Sequence, residues 1–396
     1  MTISTRSIKA QYFLAYAPLG SLGPLLPIFL SQGKGFTIPQ FGLLIAVTAW
    51  AMVVTPVILA FFADTRIDSR RLLAGAYLIG GMALIGIFFA EGVVAVSILY
   101  GIYSLAFVPT LPLTDALYFS AERAAEREGR KVSAYQFVRI WGTIGFIVPS
   151  LVLYFLLKGE ESAGAIMWVG MGWCLLAAAN TFFLPSVRVA SAPGIKGRKA
   201  LPTADALKTL YAPGTRVFCF AMFLAFMSAM TYYNLFPHYL REIAGIPNDS
   251  VGLVMILGVV VEVFFMLGFG ALRKRFRLKG VLILGVAAMF VRMSMLAAFP
   301  YAWTAIVVQI LHGLESLALY VVPMIYIDRL AGDGFRSSIQ GAYVMTVSAC
   351  SRMLGALAAG AIGKVSLIAA FQWASLLSLT ALLVLIFLFK PIEVRE

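Results

Sequence analysis

Gln309, His312 and Glu315 recur at every third position of one long apolar stretch, so on a helix all three project from nearly the same face. Glu262, Arg292 and Arg352 each sit deep inside an apolar stretch of their own. With ~1.5 Å of rise per residue, Glu262, His312, Glu315 and Arg352 lie about 10 to 16 residues from either end of their stretches, and Arg292 about 13 from the start of its shorter one, which gives them nearly one depth. A lone ionised side chain at the centre of a bilayer costs at least ~2.5–3.5 kcal/mol, so five such groups at one level must face a cavity or each other. A histidine beside a carboxylate in that setting suits proton exchange. Burial favours the neutral acid and a nearby guanidinium favours the carboxylate, so moving the guanidinium loads or releases a proton. The expected proton-coupling set is therefore Glu262, Glu315, His312, Arg292 and Arg352, against the plainer reading of ion pairs that only fix helix packing.

A second group offers recognition rather than proton transfer. Arg139, Asn234 and Gln309 can hold the hydroxyls of a small polar solute, and Phe146 and Tyr320 can offer it aromatic faces. Asp115 and Arg139 are shallower, about five to seven residues from one end of their stretches, and could pair with each other. His238 falls at the end of a stretch and is expected to be solvated or interfacial. No Gly-x4-Gly-Lys-Ser/Thr pattern is present, which argues against an ATP-driven pump. No nucleophile stands at workable spacing from a base, so no enzyme is expected. With three cysteines in apolar stretches and two histidines, neither a disulfide framework nor a metal centre is indicated, and no cofactor is expected.

These residues have to be positioned by a membrane protein. Of 396 residues 61% are hydrophobic and 12% charged, half the charge of a soluble domain, and the mean hydropathy is +0.92. Breaks in the apolar runs give spans near 8–31, 38–63, 72–90, 94–119, 133–157 and 162–185, then 216–240, 249–272, 279–298, 301–328, 338–363 and 367–390. The runs are continuous rather than ~10-residue alternating segments, which excludes a transmembrane barrel. The expectation is an all-α membrane protein with twelve spans in two pseudo-symmetric halves, 1–185 and 216–396, joined by a polar linker at 186–215. Net charge is +13, but of 31 Lys and Arg, 24 fall in the termini and even-numbered loops against four in the odd-numbered ones. That is a topology signal with both termini cytoplasmic, and it leaves nothing for nucleic-acid binding to explain.

Internal repetition supports two halves. Phe41-Gly42-Leu43 and Val251-Gly252-Leu253 open spans 2 and 8, and Arg139-Ile140-Trp141-Gly142 matches Arg352-Met353-Leu354-Gly355 in spans 5 and 11, at offsets of 210 to 213 residues. Paired halves with a substrate site near the midplane are a secondary-transporter design. Prolines 109, 112, 149 and 323 inside spans are candidate helix breaks.

With these features placed, the whole chain resembles the major facilitator superfamily. Three stretches resemble its nucleoside:proton symporters. They are Thr55-Pro56 through Phe61-Phe62-Ala63-Asp64 to Arg70-Arg71, Val108-Pro109-Thr110 through Leu113-Thr114-Asp115 to Arg139-Ile140-Trp141-Gly142-Thr143, and Glu262 through Arg273-Lys274-Arg275-Phe276 to Arg292. Tyr326-Ile327-Asp328 and Arg336-Ser337-Ser338-Ile339-Gln340-Gly341 are similar to its loop between spans 10 and 11. The resemblance implies that Arg139, Thr143 and Glu262, with Asn234 as a weaker match, fall on substrate positions. Span 10 departs by carrying Glu315-Ser316 where a Tyr-Asp pair is expected. Arg292, His312 and Glu315 instead resemble the proton-coupling set of galactoside:proton symporters, with Gln309 at that family's lysine. The implied activity is proton-coupled symport of a small polar organic solute, nucleoside-like first, by alternating access of the two halves. A sugar, an aromatic acid, or a lipid or efflux carrier on the same fold stand as alternatives. The expected substrate-binding set is Arg139, Thr143, Asn234, Gln309, Phe146 and Asp115. The expected partners are a small-molecule substrate, protons and the lipid bilayer, in a monomer placed in a bacterial inner membrane.

Overall fold

A computed structural model describes residues 5–64, 68–127, 129, 135–157, 164–185, 204–331 and 336–390, without the side chains of 56–64 and of a few further residues. Every element among them is helical. The membrane helices are α1 (Arg6–Gly33), α2 (Ile38–Asp64), α3 (Ser69–Phe89), α4 (Val93–Asp115), α5 (Tyr135–Leu156), α6 (Ala165–Phe183) and α7 (Pro213–Glu242). One 51-residue helix, Asn248–Ala298, follows. It would be roughly 75 Å long if straight, more than twice a bilayer core. It is bent at Arg277, whose φ of 56° is left-handed, so residues 248–276 form α8 and 278–298 form α9. Then come α10 (Ala302–Ile327), α11 (Ile339–Val365) and α12 (Leu367–Leu388). That makes twelve, as the hydropathy breaks predict.

Local chemistry sets the helix ends. Asp68 caps α3 by accepting from the Arg70 backbone N–H at 3.0 Å and holds the Arg70 guanidinium at 2.7 Å. Ser366 caps α12, and Pro213 starts α7, where its missing N–H removes nothing. Lys34 donates to the Phe88 and Ala90 carbonyls at 2.6 and 2.8 Å, covering the last turn of α3. α4 is broken at Val108–Pro109, where proline cannot donate; Pro149 and Pro323 stay inside their helices. Of the expected linker, 186–203 lies outside the described residues, as does 65–67 of the first resembling stretch, while Ala204–Leu210 forms a short helix and Pro213 already belongs to α7.

By internal contacts the chain groups into Met1–Gly35 with Val54–Ala200, and Phe36–Val53 with Leu201–Glu396. The first half of α2 thus joins the later residues, because Gly42 lies against the Ala356 carbonyl and Gly360. In the first unit α1 packs on α5 through glycines. A Cβ on Gly145 would come 2.1 Å from the Phe13 carbonyl oxygen, and one on Gly20 would come 2.1 Å from that of Phe146. In the second unit α11 meets α7 at Gly355, α8 meets α10 at Gly258 and Gly313, and α9 meets α10 at Gly285. Small residues do this work because lipid supplies no hydrophobic drive between helices, so close backbone approach has to.

Candidate functional site

In the second unit, α9 and α10 bring the expected residues together around Arg292. The turn Val308–Leu311 is a tight 3₁₀ turn. That geometry brings Gln309 and His312, three apart, nearly into line, and Glu315 follows one turn on in the α-helical segment His312–Ser316, so that all three reach one guanidinium. Arg292 Nη1 lies 2.8 Å from Glu315 Oε2 and 2.8 Å from His312 Nδ1, and Nη2 donates to Gln309 Oε1 at 2.9 Å. Gly258 of α8 leaves room for this, since a Cβ there would come 2.7 Å from Gln309 Oε1. Gln309 is itself pinned by donating to the Ala305 carbonyl at 3.0 Å.

Tyr232 of α7 closes the cluster. Its ring lies 3.6 Å beneath the Arg292 guanidinium carbon, and its hydroxyl donates to Gln309 Oε1 at 3.1 Å. A guanidinium over an aromatic face is stabilised by the ring's negative quadrupole, more so when water is excluded. Reading residue types at a common depth misses Tyr232. The run Thr231-Tyr232-Tyr233-Asn234, four polar-capable residues in mid-span, is the signal that marks it.

The proton arithmetic follows from donors and acceptors. A guanidinium only donates, so His312 Nδ1 must accept from Arg292, and a neutral ring then carries its proton on Nε2. That nitrogen is 3.7 Å from Glu262 Oε2, which also accepts from Ser316 Oγ at 3.1 Å. Protonating Nδ1 would require Arg292 to leave it. Accessibility orders the two acids: the Glu315 side chain is 0% exposed with Oε1 lacking a hydrogen-bond partner, whereas Glu262 is 25% exposed. Glu262 is the carboxylate a proton can reach, and His312 stands between it and the sealed Arg292–Glu315 pair.

Arg352 does not join this cluster. Its Nε donates to Ser348 Oγ at 3.2 Å, and its guanidinium carbon lies 5.2 Å from the Phe226 ring centre and 5.5 Å from that of Tyr320. Equal depth brings α11 level with the network, but its Arg points toward α7 and the wide turn of α10 (Leu317–Val321), away from both carboxylates. Asn234 is buried, and its Nδ2 has no hydrogen-bond partner. His238 is buried as well, 2% exposed, which corrects the expectation of a solvated side chain. It lies edge-on to Phe41 at 6.1 Å with Nδ1 3.2 Å from Glu242.

In the first unit, α1 carries Tyr12 and Tyr16 one turn apart. Tyr12 donates to Asp115 Oδ1 at 2.6 Å. Arg139 donates to the Tyr16 hydroxyl at 2.5 Å and lies 4.3 Å over its ring. One face of α1 therefore receives both groups expected to pair. Thr143, one turn beyond Arg139 on α5, and Phe146 are half-buried, with the Phe146 ring beside Gly23. Among the described residues no three of His, Cys, Asp and Glu gather as a metal site.

Comparison with known proteins places the whole chain. A family model described as nucleoside H+ symporter matches residues 1–392. YegT of Escherichia coli (strain K12) is 28% identical over 366 residues, covering 89% of this chain and 83% of that protein. The xanthosine permease of the same organism is 24% identical, covering 91% and 88%. A crystal structure of the nucleoside transporter NupG superposes with a TM-score of 0.82 at 20% identity, covering 98% of each chain.

Proposed function

The chain belongs to the nucleoside H+ symporter family, and from that premise we propose how its residues divide the work. It is a multi-pass membrane transporter that carries nucleosides together with protons. The proton path is assigned to α8, α9 and α10. Glu262, the accessible carboxylate, takes up the proton; His312 passes the change inward; and Arg292 responds by shifting between His312 Nδ1 and Glu315. The observation that carries this reading is that one guanidinium is shared by His312 and Glu315 while the opposite ring nitrogen faces Glu262. A proton on Nδ1 and the Arg292 contact exclude each other, so protonation has a mechanical consequence within a rigid, desolvated cluster.

Recognition of the nucleoside is assigned to Asp115 on α4 and to Arg139, Thr143 and Phe146 on α5, and to Asn234 on α7, whose buried amide nitrogen lacks a partner and is suited to a polar solute. Gln309 has both its oxygen and its nitrogen committed inside the cluster, which favours a structural part in holding Arg292 over a direct contact with substrate. Alternating access is the transport cycle proposed, with both termini and the basic loops in the cytoplasm as the lysine and arginine bias requires. All these residues come from one chain, so the proposal needs no second copy. The test is uptake of labelled uridine, adenosine and xanthosine into proteoliposomes. Accumulation should appear with an inward proton gradient and collapse when an ionophore dissipates it; accumulation of equal size without the gradient would refute the coupling.

A further inference from the structure

Arg352 stands at the centre of α11 and uses few of its interactions. Among the described residues only Nε of its five N–H donors has a partner, and no carboxylate lies within ion-pair distance of it. Arg292 differs on every count, with His312, Gln309, Glu315 and the Tyr232 ring all engaged. Arg352 is half-buried, while Phe226 and Ser348 beside it are buried. A guanidinium without a counter-ion at mid-membrane is too costly to face lipid, so its open side has to face water or a solute. The Phe226 and Tyr320 rings stand edge-to-face at 6.1 Å on the same side of it.

Accepting the nucleoside reading above, we propose that Arg352 is a specificity residue that donates to a carbonyl on the nucleobase, with Tyr320 offering the base an aromatic edge. Guanidinium N–H donors bond a carbonyl oxygen, through one donor at a pyrimidine O4 and through both arms of the fork where a ring acceptor such as a purine N7 stands beside it, and they repel an amino group in the same place. The position also links recognition to the proton path. Tyr320 interacts with Tyr233, whose ring is 6.3 Å from that of His312, so a chain of aromatic rings runs from Arg352 to the edge of the charge cluster.

Two nucleoside pairs test the point, because inosine and adenosine, and uridine and cytidine, differ by a carbonyl exchanged for an amine, with the neighbouring ring nitrogen changing from donor to acceptor. Equilibrium binding of all four to the purified full-length protein should show the carbonyl member of each pair preferred by at least about fivefold, the lower bound for one good contact of this kind. Arg352→Met should erase that preference while adenosine and cytidine stay within about twofold of wild type. Arg352→Lys, which keeps the charge without the fork and guards against a folding failure of the Met variant, should lose a large part of it. Equal binding of both members by the wild type, or an equal loss for all four nucleosides in the variants, overturns the assignment to Arg352 and leaves the transport reading intact. Binding of none of the four by the wild type overturns the nucleoside reading, and this inference with it.

Discussion

Arg139 and Arg352 open the same four-residue pattern in the two units, and each stands one turn before a glycine that lets its helix touch a neighbour. Gly142 of α5 meets the Tyr16 ring, and Gly355 of α11 meets the Cα of Met227 and the side chain of Met230. Both arginines lie over aromatic rings on the partner helix, Tyr16 of α1 and Phe226 of α7. Beyond that they part. Arg139 has a tyrosine hydroxyl and a carboxylate one turn away on the same partner face, whereas Arg352 has neither. The sealed charge cluster occurs only around α9 and α10, with no counterpart among the described residues of the first unit. Duplication therefore preserved what packs helices in lipid, small residues at contacts with a flat cation nearby, and left the chemistry free to diverge.

That contrast can be broken at Glu262, the accessible acid beside the second unit's cluster. Glu262→Gln keeps the size and the Ser316 contact but cannot titrate. Uptake driven by a pH step in proteoliposomes should fall to passive exchange, with nucleoside binding still measurable. Accumulation at the wild-type rate would return the proton path to other groups.

Next in size is the loss of stability when the sealed pair is opened. Arg292→Gln leaves Glu315 buried without its cation and should lower stability by ~3–5 kcal/mol, whereas Arg292→Gln with Glu315→Gln should recover most of that. Arg139→Gln, at a half-buried site, should lower it far less. Thermal unfolding in detergent compares the three, and equal losses at Arg139 and Arg292 would erase the distinction between the units.

The shared packing gives a smaller and graded effect. A Cβ on Gly145 would sit 2.1 Å from a backbone oxygen, while one on Gly355 would sit 2.8 Å from a backbone carbon, so the first contact has less room to relax. Both Ala variants should be destabilised in the ~1–3 kcal/mol range of overpacked contacts, Gly145→Ala by more. The reverse order in melting temperature would mean that α5 yields more easily than α11.

The smallest effect concerns recognition. Phe146→Ala should weaken uridine binding by ~1 kcal/mol, the low end for base stacking, because part of the ring already packs beside Gly23. An unchanged dissociation constant would remove Phe146 from the substrate set.

Twelve spans, the break between α8 and α9, and the identity of nearly every charged group at mid-depth are legible in the amino-acid order, because hydropathy and the cost of a charge in hydrocarbon act residue by residue. The spacing of Gln309, His312 and Glu315 carried further, since three residues per turn needs only a local tightening of one helix. What the order of residues leaves open is direction. Arg352 and Arg292 are equally deep, yet one meets a histidine and a carboxylate and the other two aromatic rings. Tyr232 completes the cluster although nothing in its own neighbourhood pairs it with Arg292, and His238 is buried although it ends a span. Depth is a property of a single helix measured against the bilayer. Partnership depends on the rotation of each helix about its axis, and that is set by glycine contacts between helices far apart in sequence, which only the folded chain brings together.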